Sequence, residues 1–133
     1  MELAFNKLTK QYKDKTAVNS FTVTLTPGIY GLLGANGAGK TTLMRMVCGI
    51  LAPTSGKVLL DGKDTNSMGE NYRDLLGYLP QNFGYYPVFT AMDYLLYVAA
   101  LKGLTASAAK VRANELLELV SLEAVAKKKI KTF

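Results

Sequence analysis

Apolar residues and threonines alternate strictly from Ser20 to Thr26: Phe21, Val23 and Leu25 fall on one side, Thr22, Thr24 and Thr26 on the other. A period of two predicts a strand with one buried and one wet face. The opening "MELAFNKLTKQY" is its expected partner, and Pro27-Gly28 ends the strand in a turn. "IYGLLG", Ile29 to Gly34, is a short unbroken apolar run, which predicts a strand buried on both faces. The spacing then changes. Leu43, Met44, Val47, Ile50 and Leu51 share one stripe at helical spacing, so a helix is expected directly after a glycine-rich loop.

Beyond Pro53, "GKVLLDG" reads as a short strand closed by an Asp61-Gly62 turn, and "LLGYLPQ" as another buried strand ending at Pro80. From Thr90 the period is helical. Thr90 and Asp93 have the spacing of a capping box, Met92, Leu95, Leu96, Ala99 and Ala100 form the inward stripe, and Gly103 is the expected stop. A second helix is expected from about Ser107, with Ala109, Ala113, Leu116, Leu117 and Val120 inward, and a third, short one over Leu122 to Lys128. Strands dominate the first part of the chain and helices the last.

Composition narrows the class. A chain of 133 residues, 49% hydrophobic and 20% charged, can fold around a core as one domain or part of one. The single cysteine, Cys48, forms no internal disulfide, and without histidine there is no Cys/His metal cluster. With no signal peptide either, a reducing compartment is expected. The apolar stretch Val88 to Leu101 is interrupted by Asp93 and is too short to span a bilayer. The net charge of +6 is spread along the chain except at Lys127, Lys128, Lys129 and Lys131. No aromatic residues interleave those lysines to stack bases, so they read as a solvated helix end and no nucleic-acid partner is expected.

The chemistry concentrates in "GLLGANGAGKTTLM". Gly34-x-x-x-x-Gly39-Lys40-Thr41 fits the phosphate-binding P-loop pattern. Glycines allow the backbone N–H groups to turn inward as an anion nest, and the following helix adds its partly positive N-terminus. Lys40 supplies a mobile full charge for the β- and γ-phosphates, and the Thr41 hydroxyl is placed to ligate Mg²⁺. The expected context, a buried strand before the loop and a helix after it, strengthens the reading.

Four ordered segments together resemble the ATP-binding domains of ABC transporters, with a flavour of the ABC-2 type exporters. They are "YKDKTAVNSFTVTLTPGIYGLLG", the fuller Walker A form "GANGAGKTT", "CGILAPTSGKVLLDG", and "LGYLPQ" ending in Gln81. The resemblance covers essentially the whole chain. It implies an α/β P-loop NTPase fold of the ABC ATPase type, truncated before the signature motif, with an N-terminal antiparallel β part. Residues 1–84 would form the β-rich core with Walker A and Q-loop, and residues 85–133 the start of a helical subdomain. ATP and Mg²⁺ are the implied ligands.

By the same resemblance Tyr12 would stack on adenine, and Val18 would either line the adenine or ribose or serve as plain core. Asn36, Gly37, Gly39, Lys40, Thr41 and Thr42 would surround the phosphates, and Thr41 and Gln81 would serve Mg²⁺. Gln81 would also sense the γ-phosphate. Tyr85 and Tyr86 would either face the coupling helix of a membrane subunit or pack under the helical subdomain. Cys48, with no histidine to activate it, reads as a small core residue. The implied partners are an ABC membrane subunit or domain and a second ATP-binding domain, at the cytoplasmic face of the membrane.

The family's hydrolytic groups are a Ser-Gly-Gly signature, a Walker B aspartate with a catalytic glutamate, and a switch histidine. None occurs in this sequence, and Glu115, Glu118 and Glu123 read as solvated helix-surface carboxylates. Beyond Lys40 and Gln81 no catalytic residue is expected, so the chain alone should bind nucleotide without hydrolysing it. The rival readings are an ABC-type ATPase acting on ribosomes or DNA, and another P-loop class, although no Asn-Lys-x-Asp guanine motif is present. In the family the strand at Ile29 to Leu33 is flanked by strands from later in the chain. Here it should leave unpaired edges, met by a second copy, by a changed strand order or by the remainder of the domain.

Overall fold

A computed structural model describes residues 1–133. They form two compact units, Met1–Tyr78 and Leu79–Phe133. The first is built on an antiparallel sheet of order β2-β1-β3-β4, from β1 (Leu3–Tyr12), β2 (Lys15–Leu25), β3 (Ser55–Leu60) and β4 (Lys63–Asp64). Helix α1 (Lys40–Val47) follows the glycine loop, and two single-turn helices, α2 (Thr65–Met68) and α3 (Glu70–Arg73), follow β4.

Strand β2 begins five residues before the alternating run, because its apolar phase slips at one point. Val18 and Phe21 are three residues apart, yet both turn inward, and Ser20 between them takes a positive φ of 49°. The facing strand slips in the same way: Phe5 and Leu8 are both buried, with Lys7 at φ 48° between them. These are paired bulges, each of which inserts one residue and restores the inward phase. The N–H groups they strand find threonines: Lys7 N–H donates to Thr22 Oγ1 at 3.0 Å and Ser20 N–H to Thr9 Oγ1 at 2.9 Å. Opposite the bulge, Gly56 has φ 80°, and a Cβ there would stand 2.3 Å from the Lys7 carbonyl oxygen. Only glycine admits that approach.

Phe5, Leu8, Val18, Leu43, Met46 and Val58 are the buried core of this unit, with Phe5 and Phe21 edge to face at 5.2 Å. Helix α1 stops earlier than its apolar pattern suggests. Gly49, at φ 69°, donates to the Met46 carbonyl while Ile50 N–H reaches that of Arg45, the paired bonds of a Schellman stop. The inward stripe is therefore Leu43, Met46 and Val47, whereas Met44 and Ile50 are exposed. The Asp61-Gly62 turn joins β3 to β4 as expected, both residues at positive φ (48° and 78°) as a tight primed hairpin demands.

Two expected strands do not form. Ile29 to Gly34 has no ladder partner, and Ile29 and Leu33 are fully exposed; Leu75 to Gln81 is likewise irregular, with Leu75 and Leu79 exposed. Apolar runs of this kind become buried strands only when neighbours supply hydrogen bonds on both sides, and the sheet of this unit runs elsewhere.

The second unit pairs α4 (Ala91–Leu101) with α5 (Ala106–Leu119). The Thr90 and Asp93 capping box is present, and Gly103 at φ 76° closes α4. Helix α5 starts on Thr105, buries Ala109, Ala113 and Leu117 four residues apart, and leaves Val120 exposed. The short third helix is a single 3-10 turn, Glu123–Val125. Beyond it the lysine-rich tail satisfies the first turn of α4: Met92 N–H donates to the Ala126 carbonyl at 2.9 Å and Ala91 N–H to that of Lys128 at 3.3 Å. The side chains of Lys127, Lys128 and Lys129 remain exposed. No helix is long and apolar enough to cross a membrane.

Candidate functional site

The loop from Gly34 to Gly39 delivers the chain into α1 without a side-chain cap. The first N–H groups of the helix are therefore left for an anion, in the place where the helix dipole favours one. Gly37 and Gly39 hold φ of 82° and 93°, values that ordinary side chains resist. The loop is tightened by a bond from Ala38 N–H to the Ala35 carbonyl at 3.1 Å. Lys40 folds back over it, donating from Nζ to the Gly34 carbonyl and, at 2.8 Å, to that of Ala35. Asn36 and Thr41 are exposed and Thr42 is half-buried.

The other wall is the β1–β2 hairpin. A Cβ on Gly39 would lie 2.1 Å from the Ala17 carbonyl oxygen and 3.3 Å from a Val18 methyl, so the backbone of β2 is pressed against the end of the loop. Val18 thereby belongs to the buried core and to the edge of the loop at once. Lys15 reaches the loop as well, its Nζ 3.4 Å from the Gly37 carbonyl. Tyr12, opposite Lys15 at the hairpin turn, presents an exposed ring with the Lys10 ammonium 5.5 Å from its centre. A cleft of about 250 Å³ opens between Val18, Phe21, Ala38, Gly39, Lys40 and Leu43. The first unit thus brings together the loop residues, Lys40 and Val18, with Tyr12 on the same hairpin.

Gln81 lies in the second unit, exposed, on an irregular segment. Tyr85 and Tyr86 are half-exposed, and Tyr86 joins an aromatic cluster, 4.9 Å from Phe89 and 5.5 Å from Tyr97. Burial pushes the Cys48 thiol up, away from the reactive thiolate. Glu115 pairs with Arg112 at 3.0 Å on the surface of α5, and Glu118 and Glu123 are exposed.

Three contributors escape a reading of the sequence. The Ala17 carbonyl leaves no trace in residue type. Lys15 looks like any charged turn residue. Tyr72, buried in α3, donates its hydroxyl to the carbonyl of Val47, the last residue of α1, at 2.7 Å; the only sequence signal was an aromatic among polar residues.

A glycine loop with two left-handed glycines, a lysine folded over it and a helix springing from its end defines the P-loop class of phosphate-binding α/β folds. The family model described as ABC transporter matches residues 18–133. The chain belongs to the ABC transporter family. It is 39% identical over 127 residues to the Nod factor export ATP-binding protein I of Burkholderia pseudomallei (strain 1710b), an alignment covering 95% of this chain and 42% of that protein. With the linearmycin resistance ATP-binding protein LnrL of Bacillus subtilis (strain 168) it shares 37% over 132 residues, covering 98% and 42%. The chain thus spans about two-fifths of the length of these relatives. Among solved structures, a putative ABC transporter ATP-binding protein from Pyrococcus furiosus superposes with a TM-score of 0.78 at 28% identity, covering all of this chain and 63% of that one. The ATP-binding subunit of another ABC transporter superposes at 0.72 with 23% identity, covering 100% and 56%, a likeness of fold.

Proposed function

We propose that this chain is the nucleotide-binding part of an ABC transporter ATP-binding subunit, holding ATP with Mg²⁺. The observation that carries the reading is the Lys40 ammonium folded over the glycine loop onto the Gly34 and Ala35 carbonyls, while the loop's last residue, Gly39, is held against the hairpin. Lys40 would exchange the Gly34 and Ala35 carbonyls for phosphate oxygens, a stronger, charge-assisted set of partners. The exposed Thr41 hydroxyl, in the first turn of α1, would face Mg²⁺. Asn36, Gly37 and Thr42 would complete the phosphate cradle, Val18 the wall toward ribose and base, and Tyr12 a stacking platform for adenine, worth about 1–3 kcal/mol.

Gln81 would serve Mg²⁺ and the γ-phosphate, with residues 1–84 read as the ATP core and residues 85–133 as the start of a helical subdomain. A membrane subunit and a second ATP-binding domain are the partners of this reading, at the cytoplasmic face of the membrane. Hydrolysis needs a positioned, activated water, and this sequence holds no histidine or Ser-Gly-Gly signature for that task, so the chain alone binds without turnover.

Calorimetric titration with Mg-ATP tests the reading. Lys40→Ala removes charge-assisted bonds worth about 1.5–3 kcal/mol each and should weaken binding about tenfold or more. Equal affinity in the two proteins would refute the phosphate role. Phosphate release that survives purification and disappears in Lys40→Ala would refute the lack of turnover.

A further inference from the structure

The β1–β2 hairpin brings a second ammonium to the loop. Lys15 opens β2 directly after the turn, and its Nζ rests on the carbonyl of Gly37, the first of the two left-handed glycines. No carboxylate holds it: the ion pairs of the molecule engage the N-terminus, Lys57, Arg73 and Arg112 instead. At 3.4 Å in an exposed setting the contact with Gly37 is long and readily exchanged. We propose, on the basis of the nucleotide-binding reading above, that Lys15 is a second cation of the phosphate site, acting with Lys40 on the polyphosphate tail and favouring a triphosphate over a diphosphate.

Two features of lysine suit that role. Its four-carbon stem lets the ammonium swing without moving the strand, and it acts as a point charge needing no fixed geometry. Its attraction extends over about 8 Å at physiological ionic strength, so a nearby polyphosphate feels it before any direct bond forms, and each added phosphate charge increases the pull. Lys40 reaches the loop from the start of α1, Lys15 from the hairpin, and the two hold different carbonyls. A lysine that merely propped up the Gly37 carbonyl would be replaceable by any neutral donor of similar length.

The test compares the full chain with Lys15→Gln and Lys15→Arg, titrated with Mg-ATP and Mg-ADP at low salt. Lys15→Gln should weaken ATP binding about three- to tenfold, ADP binding less, and Lys15→Arg should stay within about twofold of the parent, because an exposed charge contributes modestly and either cation supplies it. ATP affinity unchanged in Lys15→Gln overturns the proposal. So does equal weakening of ATP and ADP, or a Lys15→Arg variant as weak as Lys15→Gln. A parent chain that binds no ATP, or a Lys40→Ala variant that binds like the parent, would instead refute the nucleotide-binding reading itself.

Discussion

The carbonyl oxygen of Ala17 lies 2.1 Å from the point at which a side chain on Gly39 would begin. Strand β2 and the phosphate loop therefore meet backbone to backbone, and the contact exists only because residue 39 has no Cβ. Gly39→Ala must push the hairpin and loop apart, and it also leaves alanine at φ 93°. The strain is worth about 1–3 kcal/mol. Thermal unfolding should show a lowered midpoint and calorimetry a loss of ATP binding; a variant with unchanged midpoint and affinity would show that the loop is not pinned there.

Tyr72 should matter through a single bond. Its buried hydroxyl caps the Val47 carbonyl at the end of α1, and the same burial, with Cys48 beside it, holds its pKa up so that it stays a donor. Tyr72→Phe removes the donor and keeps the ring. Denaturant titration should report a loss of about 1–2 kcal/mol, and no loss would mean that water replaces the hydroxyl.

Acid should loosen the start of α4. The Asp93 carboxyl is held below its usual range first by the Thr90 hydroxyl and then by the Thr90 backbone N–H. A depressed folded-state value means that the stabilisation is complete above the ordinary carboxylate range and is lost as the pH falls through the lowered value. Hydrogen-exchange protection of Ala91 to Tyr94, measured against the intrinsic exchange rate at each pH, should therefore fall as the pH drops through the lowered value. In Asp93→Asn the protection of the same amides should show no acid-dependent step; an unaltered pH profile in that variant would exclude the carboxylate as the cause.

The bare apolar segment should be adhesive. Ile29 and Leu33 are fully exposed, and the backbone between them makes no bond to the sheet. Exposed apolar segments with free N–H and C=O groups recruit other strands. The purified chain should sediment as associated species, and Ile29→Lys with Leu33→Lys should shift it toward monomer. The midpoint of unfolding should move by no more than about 0.5 kcal/mol equivalent, since both side chains are solvated. A monodisperse parent chain would show that the segment is tolerated bare.

By itself the sequence determined whatever rests on neighbouring residues. The Thr90 and Asp93 box, the Gly103 stop, the Asp61-Gly62 hairpin and the glycine loop before α1 all depend on backbone preferences and bonds spanning a few positions, so residue type reveals them. The ordered segments around "GANGAGKTT" carried the family for the same reason. Tertiary structure decided where a pattern needed a distant partner. Ile29 to Gly34 and Leu75 to Gln81 have the composition of buried strands, but hydrogen bonds from neighbours, and not apolar content, make a strand. The paired bulges at Lys7 and Ser20 broke the alternation that located β2, since each inserted residue makes sense only against the other. The approach of Ala17 to Gly39, the reach of Lys15 to Gly37 and the cap from Tyr72 to Val47 join residues between 22 and 25 positions apart. Such contacts depend on how the hairpin, the loop and α3 close on one another, which no local pattern encodes.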